Sequence, residues 1–140
     1  MVSNQVVELL KLLGEAKKER HRLPQDTLQW IEGNCTERFA AFANSRQAIM
    51  QRFDLKTYAD VMTEFASAER SINRAWSAAA DGYIEEINLC IDRSYDHLGQ
   101  IRDFLEQAEK AESWVSRKAC GSYFDKLMAG FSYQITPKFF

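Results

Sequence analysis

The sequence predicts an all-α fold: an antiparallel bundle of four to five helices with a long central helical hairpin and a short C-terminal aromatic tail. Three observations indicate it. Only two prolines and six glycines interrupt 140 residues, too few for the many turns of a β fold. Apolar residues recur at steps of three and four along most of the chain. Hydrophobic residues make up 46% and charged residues 27%, as in ordinary globular proteins.

The length of the chain corresponds to about one domain. We therefore predict a single helical domain, residues 1–140, whose tail, residues 132–140, docks on the domain itself or on a partner. The predicted helices cover about residues 4–22, 26–53, 58–80, 83–110 and 112–130.

The first two predicted helices are separated by Pro24, because the residue before a proline is pushed away from helical angles. The first ends in a basic run, residues 17–20, which suits the negative end of a helix dipole. Asp26 or Thr27 can cap the second. Its apolar residues share one face: Leu28, Ile31, Cys35, Phe39, Phe42, Ile49 and Phe53.

The third and fourth predicted helices form the hairpin. Thr57, with Asp60 three residues later, is predicted to cap the third helix. Asp81 and Gly82 supply a capping residue and one that tolerates left-handed angles, so the chain can reverse tightly and bring two apolar seams together. The seams comprise Val61, Phe65, Ala68, Ile72, Ala75, Trp76 and Ala79, and then Ile84, Ile87, Ile91, Ser94, Leu98, Ile101, Leu105 and Ala108.

The C-terminal segment combines a fifth helix with an aromatic tail. The stretch FSYQIT, residues 131–136, alternates apolar and polar residues like a short strand. Large apolar side chains lose about 1.5–3 kcal/mol each when left in water, so the tail aromatics should dock on the bundle or on a partner. The predicted partner-binding residues are Phe131, Tyr133, Phe139 and Phe140.

Charge is segregated along the chain although the net charge is only −2. Residues 58–110 hold five basic and eleven acidic side chains, whereas residues 1–24 hold five basic and three acidic ones. Basic terminal segments lying across an acidic hairpin would stabilise the bundle; alternatively, the acidic face is offered to a basic partner. The small total argues against nucleic acid as a partner.

The sequence has neither the pattern of a secretion signal nor an apolar run long enough to cross a membrane, which favours a cytoplasmic protein without a membrane partner. The three cysteines are too far apart for paired metal ligands and too few for a disulfide framework. We expect buried free thiols, no metal and no cofactor.

Catalytic motifs are scarce. Neither His21 nor His97 has a glutamate three positions before it, as a di-iron carboxylate site would require. The one candidate cluster is Arg93, Asp96 and His97. Because Arg93 and His97 are four residues apart on one helix face, they could together bind a phosphate and move a proton.

The stretch ADGYIEEINLCIDRSYDHLGQI resembles the central hairpin of HEPN domains, small helical bundles in which a Gly-Tyr-type turn precedes a helix bearing Arg and His. The resemblance covers at most residues 64–105. It implies a ribonuclease using Arg93 and His97, or a non-catalytic relative. Only Ser94, Tyr95 and Asp96 separate the pair here, whereas family ribonucleases have four to six intervening residues.

Two functional hypotheses follow. The favoured one is a non-enzymatic helical interaction protein, a cytoplasmic adaptor, regulator or antitoxin-like inhibitor, which binds an unidentified protein partner and forms a homodimer. The alternative is a small HEPN-like ribonuclease that uses Arg93 and His97.

Overall fold

A computed structural model describes residues 2–20 and 22–119, with side chains up to residue 114. These residues form an all-α bundle with a long hairpin, as predicted, and contain no strand. The chain divides into two compact units, residues 1–105 and 106–140; whether it is a single domain stays a prediction. The elements are α1 (Val2–Lys18), α2 (Pro24–Trp30), a π-helical turn (Ile31–Cys35), α3 (Thr36–Asn44), α4 (Arg46–Arg52), α5 (Leu55–Asp81) and α6 (Ile84–Ala119).

Helix α5 ends at the predicted hairpin turn. Gly82 has a φ of 82°, in the left-handed region that favours glycine. The Tyr83 amide donates to the Ala78 carbonyl at 2.9 Å, and the Gly82 amide donates to the Ala79 carbonyl at 3.3 Å. This pair of hydrogen bonds is a Schellman motif, which satisfies the last carbonyls of α5 while the chain reverses.

The two helices of the hairpin are antiparallel and in register. In each of three polar contacts, the two partners lie almost equally far from the turn in sequence. The hydroxyl of Ser94 is buried, and its hydrogen bond to a carbonyl of α5 satisfies it. The contacts join Arg74 Nε with Glu86 at 2.5 Å, Ser94 Oγ with the Ala68 carbonyl at 3.1 Å, and His97 Nδ1 with Glu64 at 2.6 Å.

The second predicted helix is divided into pieces, which we call the segmented arm: residues 24–52, comprising α2, the π turn, α3 and α4. Pro24 opens α2, after Leu23 in an extended conformation with ψ of 145°, so the predicted cap by Asp26 or Thr27 is wrong. Between α3 and α4, the Ser45 amide donates to the Phe42 carbonyl at 2.9 Å.

Three other predicted boundaries also change. Helix α1 ends at Lys18, not near residue 22. Asp54, not Thr57, caps α5, because its carboxylate accepts the Thr57 amide hydrogen bond at 2.9 Å. Helix α6 continues through the predicted break at residues 110–112, where Lys, Ala and Glu are all good helix formers.

The core of the first unit lies where the segmented arm and α1 pack with the hairpin. Phe42 is fully buried, with its ring centroid 4.7 Å from that of Phe65. The large apolar residues that the sequence analysis placed on the seams of the second to fourth predicted helices are buried with three exceptions. These are Leu28, which is half-buried, Trp76, which is 41% exposed, and Ile84, which is 43% exposed. All three lie towards the hairpin turn.

Candidate functional site

Apolar side chains are exposed or half-buried around the hairpin turn, on what we call the hairpin-end surface: Leu23, Leu28, Ala80, Tyr83 and Ile84. Leu23 and Tyr83 are 64% and 67% exposed. Leu23, Leu28 and Ala80 line one shallow groove, while Tyr83 and Ile84 line another recess beside the turn. The apolar periodicity of α2 and α6 therefore extends beyond the part of each helix that the core covers.

Acidic side chains surround this surface. Asp26, Asp81 and Glu85 are exposed and form no ion pair with any residue that the structure describes. The nearby Arg74 pairs with Glu86, so it does not neutralise these three carboxylates. The hairpin end therefore combines exposed apolar groups with net negative charge.

A more enclosed groove of about 340 Å³ lies one turn further from the hairpin end, between the segmented arm and α5. We call it the Trp76 groove; its lining includes Ile31, Glu32, Phe39, Glu69, Ile72 and Trp76. The indole Nε1–H of Trp76 donates to Glu32 Oε1 at 3.0 Å, which fixes the ring against one wall. Phe39 and Ile72, each 4% exposed, supply an apolar floor.

The π turn shapes one wall of this groove. The Thr36 amide donates to the Ile31 carbonyl five residues earlier, where an α-helix would use the residue four earlier. Three successive steps of four join the buried residues Thr27, Ile31, Cys35 and Phe39. An α-helix has 3.6 residues per turn, so residues spaced four apart move steadily away from the buried face. A wider turn within the series returns them to that face. The spacing of Ile31, Cys35 and Phe39 was the available signal, and the sequence analysis missed it.

Cys35 lies beneath the groove and is fully buried. Burial raises the pKa of its thiol to about 12 and outweighs the positive charge of Arg38, which lowers that pKa. The thiol therefore stays protonated at neutral pH and is a poor nucleophile. Cys90 is also buried and free, and burial followed by the Glu86 carboxylate raises its pKa as well.

The three residues of the candidate cluster lie on one side of α6 but do not bind one another. Arg93 and Asp96 are exposed, and no hydrogen bond or ion pair between described residues joins either of them to His97. His97 instead contacts Glu64 of α5, a residue that sequence reasoning did not select. Its side chain is 32% exposed and that of Glu64 21%, so water still reaches the pair.

The basic end of α1 packs onto α6. Arg20 binds the Asp92 carboxylate at 3.0 Å, and Lys17 lies 3.6 Å from the same group. Lys17 also lies 4.5 Å from the centre of the Tyr95 ring. These contacts agree with the interpretation that a basic terminal segment stabilises an acidic hairpin, and they engage Lys17 and Arg20 within the fold.

The predicted partner-binding residues Phe131, Tyr133, Phe139 and Phe140 lie outside the described residues, as do FSYQIT, His21 and Cys120. Within residues 2–20 and 22–119, no group of three or more potential ligands could hold a metal ion. No helix of that part is long and apolar enough to cross a bilayer.

Comparison with protein-family models, curated proteins and solved structures finds no match to this chain. The resemblance to HEPN domains therefore depends only on the residues quoted for it.

Proposed function

We propose that this chain is a non-enzymatic helical interaction protein that binds a protein partner through the hairpin-end surface. The observation that carries the proposal is that Leu23, Tyr83 and Ile84 are all exposed at the same end of the hairpin, where they line adjoining grooves. Large apolar groups that cluster within a polar rim mark interaction sites more often than scattered ones do. The rim here is acidic, which selects a partner with basic residues beside an apolar contact.

The wider proposal places the protein in the cytoplasm as an adaptor, regulator or antitoxin-like inhibitor that forms a homodimer. In it, the tail aromatics Phe131, Tyr133, Phe139 and Phe140 bind the partner or the second subunit. Light scattering on the full chain and on a chain lacking residues 132–140 tests the dimer. The full chain should have twice the mass of the truncated one; equal masses would contradict a role of the tail in the dimer.

An affinity pull-down with two surface variants tests the hairpin-end surface. Leu23→Ser with Tyr83→Ser removes two apolar groups that contribute little to the core, so the fold should remain while partner binding is lost. Leu55→Ser is the matched control, because Leu55 is 75% exposed at the opposite end of α5. Each protein identified by mass spectrometry is then purified, and its binding to both variants is measured directly.

The proposal expects a partner that binds the wild type and Leu55→Ser but binds the hairpin-end variant at least tenfold more weakly. Equal binding to all three chains would contradict it. Circular dichroism spectra and unfolding midpoints of the variants establish that a lost interaction does not come from a lost fold.

A HEPN-like ribonuclease is a second proposal, favoured by the contact between His97 and Glu64. A carboxylate 2.6 Å from a partly exposed imidazole can orient it for proton transfer. Arg93, one turn away, would bind the phosphate. The wild type should then cleave RNA, and His97→Ala should abolish cleavage without loss of fold; an inactive wild type would eliminate this proposal.

A further inference from the structure

We propose that the Trp76 groove binds the cationic side chain, arginine or lysine, of a basic segment on the partner that docks at the hairpin end. The inference depends on the proposed function, because the groove continues the hairpin-end surface. Glu32 and Trp76 lie four residues from Leu28 and Ala80, respectively, and so about one helical turn away from them.

The shape of the groove suits one extended side chain. Its volume of about 340 Å³ is near the lower limit for ligand pockets, far too small for a second helix. The apolar floor formed by Phe39 and Ile72 matches the methylene stem of an arginine or lysine, whose charged end reaches towards polar groups.

The walls of the groove supply both kinds of group that bind an organic cation. The Trp76 ring is 41% exposed, and its hydrogen bond to Glu32 holds it in place, so its face is available for a cation–π contact. Glu32 supplies a carboxylate beside that ring, and Glu69 supplies a second one on the lining of the groove. A guanidinium can then contact a carboxylate and the indole face together.

The arginines of the chain near the groove are engaged elsewhere. Arg70 donates to the Ser67 hydroxyl at 3.1 Å, and Arg74 pairs with Glu86 at 2.5 Å. Arg38 donates to the Asn34 carbonyl at 3.3 Å. None of these three arginines forms an ion pair with Glu32 or Glu69, so an incoming cation does not have to displace them.

The same molecule shows this combination within its own fold. The Arg22 guanidinium lies 5.2 Å from the centre of the Trp30 ring and pairs with the Glu19 carboxylate. A tryptophan face, a carboxylate and an arginine thus already meet once in the bundle. In the Trp76 groove the chain contributes the tryptophan and the carboxylates, and the partner contributes the cation.

Nuclear magnetic resonance can test the groove without an identified partner. The three tryptophans give separate indole signals, and Trp76→Phe assigns the one of interest. The probe is the blocked tripeptide Gly-Arg-Gly; the control peptide carries citrulline, which has nearly the same shape without the charge. The arginine peptide should shift the Trp76 signal and saturate at millimolar concentration, while the citrulline peptide should bind at least tenfold more weakly. Equal shifts with both peptides, or none, would overturn the inference.

Two further comparisons separate the possible explanations. Glu32→Gln with Glu69→Gln should weaken the arginine peptide tenfold or more, whereas Glu85→Gln, which lies outside the groove, should not. Butylguanidinium, which reproduces the arginine side chain alone, should shift the same indole signal, and the absence of a shift would contradict a groove that holds the side chain. If the arginine peptide does not bind but Leu23→Ser with Tyr83→Ser still abolishes partner binding, the inference is wrong and the proposed function stands. If the peptide does not bind and the hairpin-end variant also binds the partner as the wild type does, both the inference and the proposed function are wrong.

Discussion

The segmented arm and α5 are similar in length and lie side by side, but only α5 is continuous. Helix α5 runs for 27 residues without glycine or proline between the Asp54 cap and Gly82. The arm begins at Pro24, widens into a π turn around Gly33 and bends at Ser45. The difference indicates that α5 is the continuous helix of the pair and that the arm changes direction along it.

The irregular arm forms one wall of both grooves, and α5 forms the other. Leu23, Leu28 and Glu32 belong to the arm or to the residue before it, and each lines a groove against α5. An α-helix that followed α5 closely along its length would cover the Trp76 ring as a partner helix in a coiled coil does. The breaks in the arm therefore leave the grooves that we propose bind a partner.

The largest loss of stability is predicted where the segmented arm packs on α5. A small loss there would show that the arm is only loosely attached to α5. Phe42→Ala removes a fully buried ring of the arm that stacks on Phe65 of α5, and it should lower the free energy of unfolding by about 3–5 kcal/mol. Met50→Ala, on the same arm but 41% exposed, should change it by less than about 0.5 kcal/mol. Urea unfolding measures both; similar small losses would show that the arm contributes little to the core.

A smaller effect is expected at the end of α5. Gly82→Ala should cost about 1–2 kcal/mol, because alanine is strained at a positive φ. Gly99→Ala, within α6, should instead stabilise by about 0.5–1 kcal/mol. A new Cβ would meet no atom within 4 Å at either position, so the two variants differ only in backbone conformation. If thermal unfolding showed that both Gly82→Ala and Gly99→Ala are destabilised, the positive φ of Gly82 would not explain the difference that we predict.

The regular part of the fold could be predicted from sequence, whereas the grooves could not. The seam of α6 from Ile87 to Leu105 is buried as its spacing indicates, and the Gly82 turn lies where predicted. Periodicity places a residue on a face but does not say how far the neighbouring element extends. Ile84 and Trp76 therefore belong to apolar seams that the arm leaves partly uncovered. The contact of His97 with Glu64 depends on hairpin register across 33 residues, which sequence spacing alone does not give.

The cap of α5 should contribute about 1 kcal/mol, which Asp54→Ala removes and Asp54→Asn largely keeps. The hydrogen bonds from Thr57 lower the pKa of Asp54 below its ordinary value of 3.8. A carboxyl with a lowered pKa stabilises the fold fully above that ordinary value and loses the contribution as pH falls through the lowered one. Unfolding midpoints from neutral to acidic pH should therefore drop less for Asp54→Asn than for the wild type. Equal acid sensitivity would contradict the cap.

The smallest change in stability and the sharpest change in shape are expected from deletion of Gly33. A π turn holds one residue more than an α turn, so losing an exposed residue there lets α2 continue directly into α3 while the faces on both sides keep their orientation. The core residues Ile31 and Phe39 should stay buried, and the unfolding midpoint should not fall. Glu32 should move relative to Trp76, and the indole signal of Trp76 should shift because its hydrogen bond is lost.

Gly33→Ala is the matched control, since an added Cβ meets nothing within 4 Å; it keeps the residue count and should keep that signal. A deletion that unfolds the protein would show that the extra residue is needed for the core, and an unchanged indole signal would show that the groove does not depend on the π turn.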